Sequence, residues 1–570
     1  MTRSRRSRCL FWISLALLAF PTLSFPASHE KRPKLVVFIA IDAFRYDYLT
    51  RFYDHFSDGG FKLLLRGGAN FTNTHVAHFR PSTAPGHATM LTGASGHLSG
   101  IVDNEWYDRD LREKVNCVED RQATLVGTRQ TDPSEGRSPK NLQVTTVGDE
   151  LKLATQFRSK VIGISYKDRG AILLAGKMAD AAYWFDEATG RFISSTSYMK
   201  SLPEWVTKFN ERKLPDRFFG KEWKKLLAED VYQLSREDDF PHELDYKGSG
   251  IVFPHPMTGN AQAPGKDFYQ LFKHTPFADV HLAEFARAVV ENAQLGVDEV
   301  TDLLTISFSA TDRVGHQYGP YSQEQQDNIL RLDRVLEDFL EFLHQKVGLE
   351  NVYILLTADH GSAPIAEFIA RSNVQAGRID TSRIPEEMDS VLIPKTVEDA
   401  LDRAFGQGEW VEAFVKPNLY FNLDALRREK LSIAQVEEVT KESLLQVPGI
   451  ADVFGRSQLL SGALPDNEVT RMVLRQLFRQ RSGDLVVHNK PYFLTAAYKR
   501  SQDKGADHET CYDYDTHIPL ILFGPVFRAG VYRFHVEQND IAPTLANALG
   551  LAYPSGNEGR VLFQCLSGTE

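Results

Sequence analysis

Uninterrupted apolar runs that stop abruptly at acidic, basic or imidazole side chains dominate the chain. Leu35–Ile41 reads LVVFIAI and runs into Asp42. Residues 161–165 run into Lys167-Asp168-Arg169, and 303–308 (LLTISF) run toward Asp312. Residues 352–356 end at Asp359-His360-Gly361, and 518–523 follow Asp515-Thr516-His517. Strands that are apolar at every position are buried on both faces, the mark of a parallel sheet sandwiched between helices. Between them the period changes to that of a helix. Ile329, Leu332, Val335, Leu336, Phe339 and Leu343 form one stripe over 323–347. Ser322 with Gln325 reads as a capping box, and Gly348 as the stop. Residues 281–295 make a second amphipathic helix. The alternation predicts a doubly wound α/β core with a mostly parallel sheet, in which ligands bind beyond the carboxyl ends of the strands.

Two stretches break the alternation. Residues 187–280 are rich in Trp, Lys, Asp and Pro with weak periodicity, and 367–504 carry strand and helix signals of their own. Both read as large insertions covering the active-site edge. The core is then divided into 33–186, 281–366 and 505–570. A chain of 570 residues agrees with this, because single cores stop growing at about 250–300 residues. Residues 1–27 read as a signal peptide: Arg3, Arg5, Arg6 and Arg8 precede a short apolar run over 10–20 and small residues up to Ala27. The protein is therefore expected to be exported, periplasmic or secreted, with no membrane attachment after signal removal. Cleavage removes four Arg and no acid, taking the net charge from −10 to −14 (−10 − 4). That balance excludes the basic face of a nucleic-acid binder but leaves room for a local cationic pocket that takes an anionic substrate. Cys9 leaves with the signal. Cys117, Cys511 and Cys565 allow one disulfide and one thiol, with the pairing open.

The chemistry sits at the strand ends. Asp42, Asp312, Asp359, His316, His360 and His508 are all expected at one sheet edge, and Asp312 and His316 share one side of a helical turn. Mixed carboxylate and imidazole ligands suit zinc in an open geometry, and six are too many for one catalytic ion and about right for two. Thr83, in Arg80-Pro81-Ser82-Thr83-Ala84-Pro85-Gly86-His87, stands where a helix begins and Gly93 closes it. Read alone, Ser82 or Thr83 is more readily an N-cap than a nucleophile at an anion-favouring helix start.

Several segments together resemble the alkaline phosphatase superfamily, and within it the phosphate-irrepressible, threonine-nucleophile branch. They are IDAFRYDYL from Ile41, STAPGHATMLTG from Ser82, GIVDNEWYD from Gly100, the stretch from Gly163 containing KDRGA, SATDRVGHQYGP from Ser309, TADHG from Thr357 and YDYDTHIPL from Tyr512. The resemblance implies an alkaline phosphatase that hydrolyses small-molecule phosphate monoesters with two zinc ions and a covalent phosphothreonine intermediate. It implies Asp42, Asp359, His360 and the Thr83 oxygen at one zinc, and Asp312, His316 and His508 at the other. Asn104, Lys167 and Arg169 would hold phosphate oxygens. Asp168 would orient a neighbour, and His87 and His517 would be structural. Glu509, beside His508, departs from the flanks expected there and would sit at the pocket rim. A phosphodiesterase or phosphonate hydrolase of the same superfamily is the alternative, with Lys167 and Arg169 against it. A sulfatase would need Cys or Ser in C/S-x-P-x-R, which Thr83-Ala84-Pro85-Gly86-His87 does not supply. A non-catalytic exported binding module would have lost ligands that are present here.

Overall fold

The computed structural model describes residues 32–379, 392–495, 504–508 and 510–567. The signal segment, Cys9 and Glu509 lie outside these. Among the described residues no helix is long and apolar enough to cross a membrane.

An eleven-stranded sheet forms the centre. Five neighbouring strands run parallel, in the order Val352–Thr357, Leu35–Ile41, Asp302–Phe308, Val161–Ser165 and Ala181–Asp186. Alternate residues of Leu35–Ile41 enter different cores. Leu35, Val37, Ile39 and Ile41 pack on one face with Leu282, Phe285, Val289, Leu332, Leu336 and Phe339. Val36, Phe38 and Ala40 pack on the other with Met90, Leu91, Val147, Leu151, Ile541 and Leu545. Every position of the strand is therefore apolar although the side-chain period is two. The helices Phe277–Asn292 and Gln323–Lys346 supply the first face; Thr83–Thr92, Val147–Ala154 and Ile541–Leu549 supply the second.

Register brings the strand ends level. Ile41 pairs with Phe308, Ala40 with Thr357, and Ser307 with Ser165. The polar residues that follow must then emerge side by side. The strand His517–Phe523 runs antiparallel to Val352–Thr357, with Thr357 opposite Leu520. Its start lies at the carboxyl edge of the parallel strands, so the His508 segment reaches the site by preceding a strand.

Some expectations change. Ser322 Oγ accepts from Gln325 N at 3.0 Å, but the reciprocal half of the capping box is absent. Gln325 Nε2 donates instead to Thr311 O at 3.0 Å and Tyr48 Oη at 3.2 Å, because the helix start is buried against them. The sheet continues past residue 187: Arg191–Ser195 pairs with Ala181–Asp186 and then with Leu125–Val126. The excursion over the core begins after that hairpin. It docks on the long helix through Trp223 Nε1 to Asp327 Oδ2 at 2.6 Å and His255 Nε2 to Glu324 Oε1 at 3.0 Å. Residues 392–495, the cap, carry a separate four-stranded sheet in the order Val411–Val415, Asn418–Phe421, Leu485–Asn489, Ile450–Gly455. It has its own core around Val397, Leu401, Trp410, Val436 and Val453. The cap meets the main body at Phe79, whose N–H donates to Met472 O at 3.1 Å, and at Arg109, which donates to Phe421 O at 3.0 Å. Cys117, Cys511 and Cys565 are all free thiols; Cys117 and Cys565 are buried in separate cores.

Candidate active site

The register places Asp42, Lys167, Asp312, Asp359 and His360 at one edge, all of them buried. Just after Asp42 the backbone turns sharply. Ala43 takes φ 56°, a left-handed conformation that costs a residue with a Cβ about 1–2 kcal/mol. The turn aims Ala43 N at Asp359 Oδ1, 3.0 Å away, which ties two strand ends together. Asp312 and His316 lie on the helix Ala310–Tyr318, with His316 Nε2 3.1 Å from Asp312 Oδ1. The start of that helix is capped from outside: Asp279 Oδ1 accepts from Ser309 N and Ala310 N, each at 3.2 Å. Burial pushes the Asp279 carboxyl up to about 7.

Thr83 is the first residue of the helix Thr83–Thr92, which Gly93 closes at φ 66°. Ser82 precedes it without capping it. Its hydroxyl donates instead to Asp103 Oδ1 at 3.0 Å. Asp103 also accepts from Asn104 N at 2.7 Å and pairs with Arg80. Asn104 Oδ1 accepts from Ala84 N at 2.9 Å. The first-turn N–H expected to favour an anion is therefore spent on Asn104, and it holds that side chain beside Thr83. His87, one turn on, donates from Nδ1 to Thr83 O at 2.7 Å and accepts from Ser307 Oγ at 2.8 Å. Its Nδ1 also lies 3.2 Å from Asp359 Oδ2. Lys167 Nζ donates to Thr83 Oγ1 at 3.0 Å and lies 2.6 Å from Asp42 Oδ2 and 2.7 Å from Asp312 Oδ2. Arg169 stands in the first turn of the helix Asp168–Ala175. Asp168 accepts from Arg137 Nε at 2.6 Å and lies 3.8 Å from Arg169 Nη1, between the two guanidinium groups. His517 is placed apart, donating from Nε2 to Thr72 O at 3.0 Å and stacking on Tyr46 and His75.

The imidazoles share one arrangement. His316, His360 and His508 each donate from Nδ1 to a backbone carbonyl: Ala506 O at 2.9 Å, Gly361 O at 2.8 Å and Pro81 O at 2.8 Å. A carbonyl can only accept, so Nδ1 carries a proton in each, and in the neutral ring Nε2 is the nitrogen left to accept or to ligate. The Nε2 atoms converge on the carboxylates: His360 on Asp42 Oδ1 at 3.6 Å and Asp359 Oδ2 at 3.5 Å, and His508 on Asp312 Oδ1 at 3.6 Å. Asp42 Oδ1, Asp312 Oδ1, Asp359 Oδ2 and His360 Nε2 are buried and make no hydrogen bond. Such atoms need a partner.

Three buried carboxylates face Lys167 as the one ammonium in contact with two of them. Burial, then the Asp359 charge, pushes Asp42 up to about 6. Burial also works against ionised Asp312 and Asp359, but Lys167 and His316 hold Asp312 well below the usual range, and His360 and His87 hold Asp359 below it. Burial opposes a charged His316, yet Asp312 raises it to about 9. Burial, then His360, drives His508 well below its ordinary value.

Asp42, Asp359 and His360 offer ligand atoms all within 4.8 Å of one another, as do Asp312, His360 and His508. A third such group, His316, Asp507 and His508, includes a carboxylate that sequence reasoning missed. Its position directly before His508 was the available signal. Asp103 and Asp279 were missed too; Asp103 stands beside Asn104 in the matching segment from Gly100, and nothing in the local sequence marks Asp279.

Gly86 supplies a local test. A Cβ there would meet Asp359 at 2.6–2.9 Å, including backbone atoms that cannot yield. Gly86→Ala is expected to push Asp359 from Asp42 and His360 and to cost about 1–3 kcal/mol. An unchanged melting temperature with unchanged metal content would contradict this packing.

A mostly parallel sheet with this cluster of acids, imidazoles, threonine and lysine at the carboxyl edge of its parallel strands defines a member of the alkaline phosphatase superfamily. The family described as type I phosphodiesterase / nucleotide pyrophosphatase matches residues 36–515, and the chain belongs to it. Among curated relatives, alkaline phosphatase PhoV of Synechococcus elongatus is 36% identical over 537 residues, covering 94% of this chain and 93% of the relative. Alkaline phosphatase PafA of Elizabethkingia meningoseptica is 36% identical over 539 residues, covering 94% and 95%. The crystal structure of wild-type alkaline phosphatase PafA matches with a TM-score of 0.87 at 35% identity, covering 94% of this chain and 99% of that one.

Proposed function

We propose that this protein is an alkaline phosphatase that hydrolyses small-molecule phosphate monoesters to an alcohol and phosphate through a phosphothreonine at Thr83, with two zinc ions. The observation that carries the reading is the meeting of Thr83 Oγ1, Lys167 Nζ and the carboxylates of Asp42 and Asp312 at one buried point. Asp42, Asp359, His360 and the Thr83 oxygen would hold one ion, and Asp312, His316 and His508 the other. The unpartnered carboxylate oxygens and the free Nε2 lone pair of His360 fit cations of this kind. Bound there, zinc supplies Lewis acidity at neutral pH.

The protein's own groups do the rest. Thr83 Oγ gives up its proton to solvent and attacks phosphorus in line; the Oγ–P bond forms as the ester O–P bond breaks, and the departing alkoxide takes a proton from solvent and leaves as the alcohol. Water then attacks the same phosphorus and loses a proton to solvent. The Oγ–P bond breaks, Thr83 Oγ takes a proton back from solvent, and inorganic phosphate leaves. Lys167, Arg169 and Asn104 bind the three spectator oxygens and so stabilise spread charge in the loose transition state. His87 fixes the helix turn that presents Thr83.

The family description favours a diesterase as the second reading. Lys167 speaks against it, because its ammonium, 3.0 Å from the attacking oxygen, is within reach of a free phosphoryl oxygen, and a diester has one fewer of these than a monoester. Comparing kcat/KM for a monoester, a diester and a sulfate ester on purified protein separates these readings. The segment 1–27 is proposed as an export signal, and an N-terminal sequence of the secreted protein starting near residue 28 would establish it.

Protein purified without chelator is expected to carry two zinc ions per chain. Fewer than about 0.5 equivalents, with activity surviving chelation, would remove the metal reading.

A further inference from the structure

His316 is held at both ends of its ring. Nε2 faces Asp312 at 3.1 Å, and Nδ1 donates to Ala506 O at 2.9 Å. Behind that Nδ1, at 3.7 Å, stands Asp507 Oδ1. The ring therefore lies between two carboxylates. Asp312 is on its ligating side. Asp507 stands behind Nδ1, the nitrogen turned away from Asp312.

Asp507 is firmly placed. Its Oδ1 accepts from His508 N at 2.9 Å, and its carbonyl accepts from Ala363 N at 3.0 Å. Its Oδ2 pairs with Lys416 Nζ at 3.1 Å, and Lys416 also donates to Thr495 O at 3.4 Å. Lys416 comes from the cap, at the turn between Val411–Val415 and Asn418–Phe421. The pair is largely shielded, with side chains 16% and 19% exposed, so its charges act through less than bulk water.

Negative charge behind Nδ1–H orients an imidazole and makes Nε2 a better donor to a cation. A cation beside that negative charge subtracts from the effect. We propose that Asp507 is a positioning residue for the metal position of Asp312, His316 and His508, and that Lys416 tempers it, so that the cap sets how tightly this position holds its ion. The proposal rests on the metal reading above. It also differs from the plainer view that Lys416 and Asp507 only staple the cap to the core. The two views disagree on the sign of the Lys416 effect.

The experiment uses the full chain, depleted of metal and titrated with zinc alone against a chromophoric chelator, which yields an association constant for each position. Asp507→Asn is expected to weaken one position by about 10–100-fold and leave the other within about threefold, while Asp507→Glu restores most of the loss. Lys416→Met keeps the aliphatic stem and removes the charge. It is expected to tighten the same position by about threefold or more. Unchanged constants in Asp507→Asn, or weakening in both Asp507→Asn and Lys416→Met, would overturn the proposal. If Asp507→Asn does not fold, the sign of the Lys416→Met shift decides by itself. Wild-type protein that takes up no zinc would instead overturn the metal reading.

Discussion

Thr83→Ala is expected to lower turnover of phosphate monoesters by at least about a thousandfold, or roughly 4 kcal/mol at 1.36 per decade, while the fold and the bound metal persist. The argument is local. Among the described residues Thr83 Oγ1 is the only hydroxyl that Lys167 Nζ hydrogen-bonds, and its backbone is pinned by His87. Removing one hydroxyl leaves Asp42, Asp359 and His360 in place, so a metal ion held as proposed would lose one oxygen and keep three side-chain ligands. The helix start does not rest on a hydroxyl cap: Ser82 holds the N-cap position without a side-chain cap bond and its hydroxyl is committed to Asp103. Thr83→Ser should keep substantial activity, since the oxygen is retained and only a methyl group is lost from a fully buried site. Quenched reactions of the wild type should leave phosphate on Thr83. Trapped phosphate on any other side chain would refute the assignment.

The second large effect concerns substrate class. Lys167→Ala combined with Arg169→Ala is expected to reduce monoester kcat/KM at least about a hundredfold more than diester kcat/KM, a difference of roughly 2.7 kcal/mol. A monoester has three free oxygens on the transferred group, and its transition state spreads charge over all of them. A diester has an alkyl group on one of these, which weakens it as an acceptor and crowds the cations. Each charge-assisted hydrogen bond lost is worth about 1.5–3 kcal/mol. The structure adds a component common to both substrates. Lys167 lies against Asp42 and Asp312, so its removal also leaves two buried carboxylates without their ammonium. Arg169 touches neither acid, and its near neighbour is Asp168. Arg169→Ala alone should therefore show the discrimination with little of the common loss. Equal losses on both ester classes, in the single and the double variant, would return the diesterase reading to first place.

What could be read in advance follows from how burial writes itself into sequence. Leu35–Ile41 and Val352–Thr357 are covered on both faces, so they are apolar throughout, and the first polar residues after them mark the sheet edge. Asp42, Asp359 and His360 were legible for that reason. His508 was legible only as a histidine in a matching segment. Its route to the site depends on the reversed direction of His517–Phe523, and an apolar run carries no sign of direction. Asp279 looks like a surface acid on an amphipathic helix, yet it is buried and caps a different helix. Asp103 looks like a turn residue and is the hub for Arg80, Ser82 and Asn104. Such roles lie in contacts between distant segments, which local spacing does not encode. The capping box failed for a related reason: Gln325 matched the local pattern, but tertiary partners took its side chain.

The bond from His508 Nδ1 to Pro81 O joins residues 427 positions apart, and Ala43 N to Asp359 Oδ1 joins residues 316 apart. Closing loops of that length is slow, because the entropy is lost before any contact rewards it. A chain that has folded only its first half owns Asp42 and Thr83 but lacks every imidazole of the cluster, so it offers a cation almost nothing to grip. An ion held there as proposed would not act as an early template. It would join a chain that is already nearly complete and then hold the finished state by mass action. Metal uptake followed during refolding should therefore lag behind the burial of the sheet, and the last protection against proteolysis should arrive together with the ion.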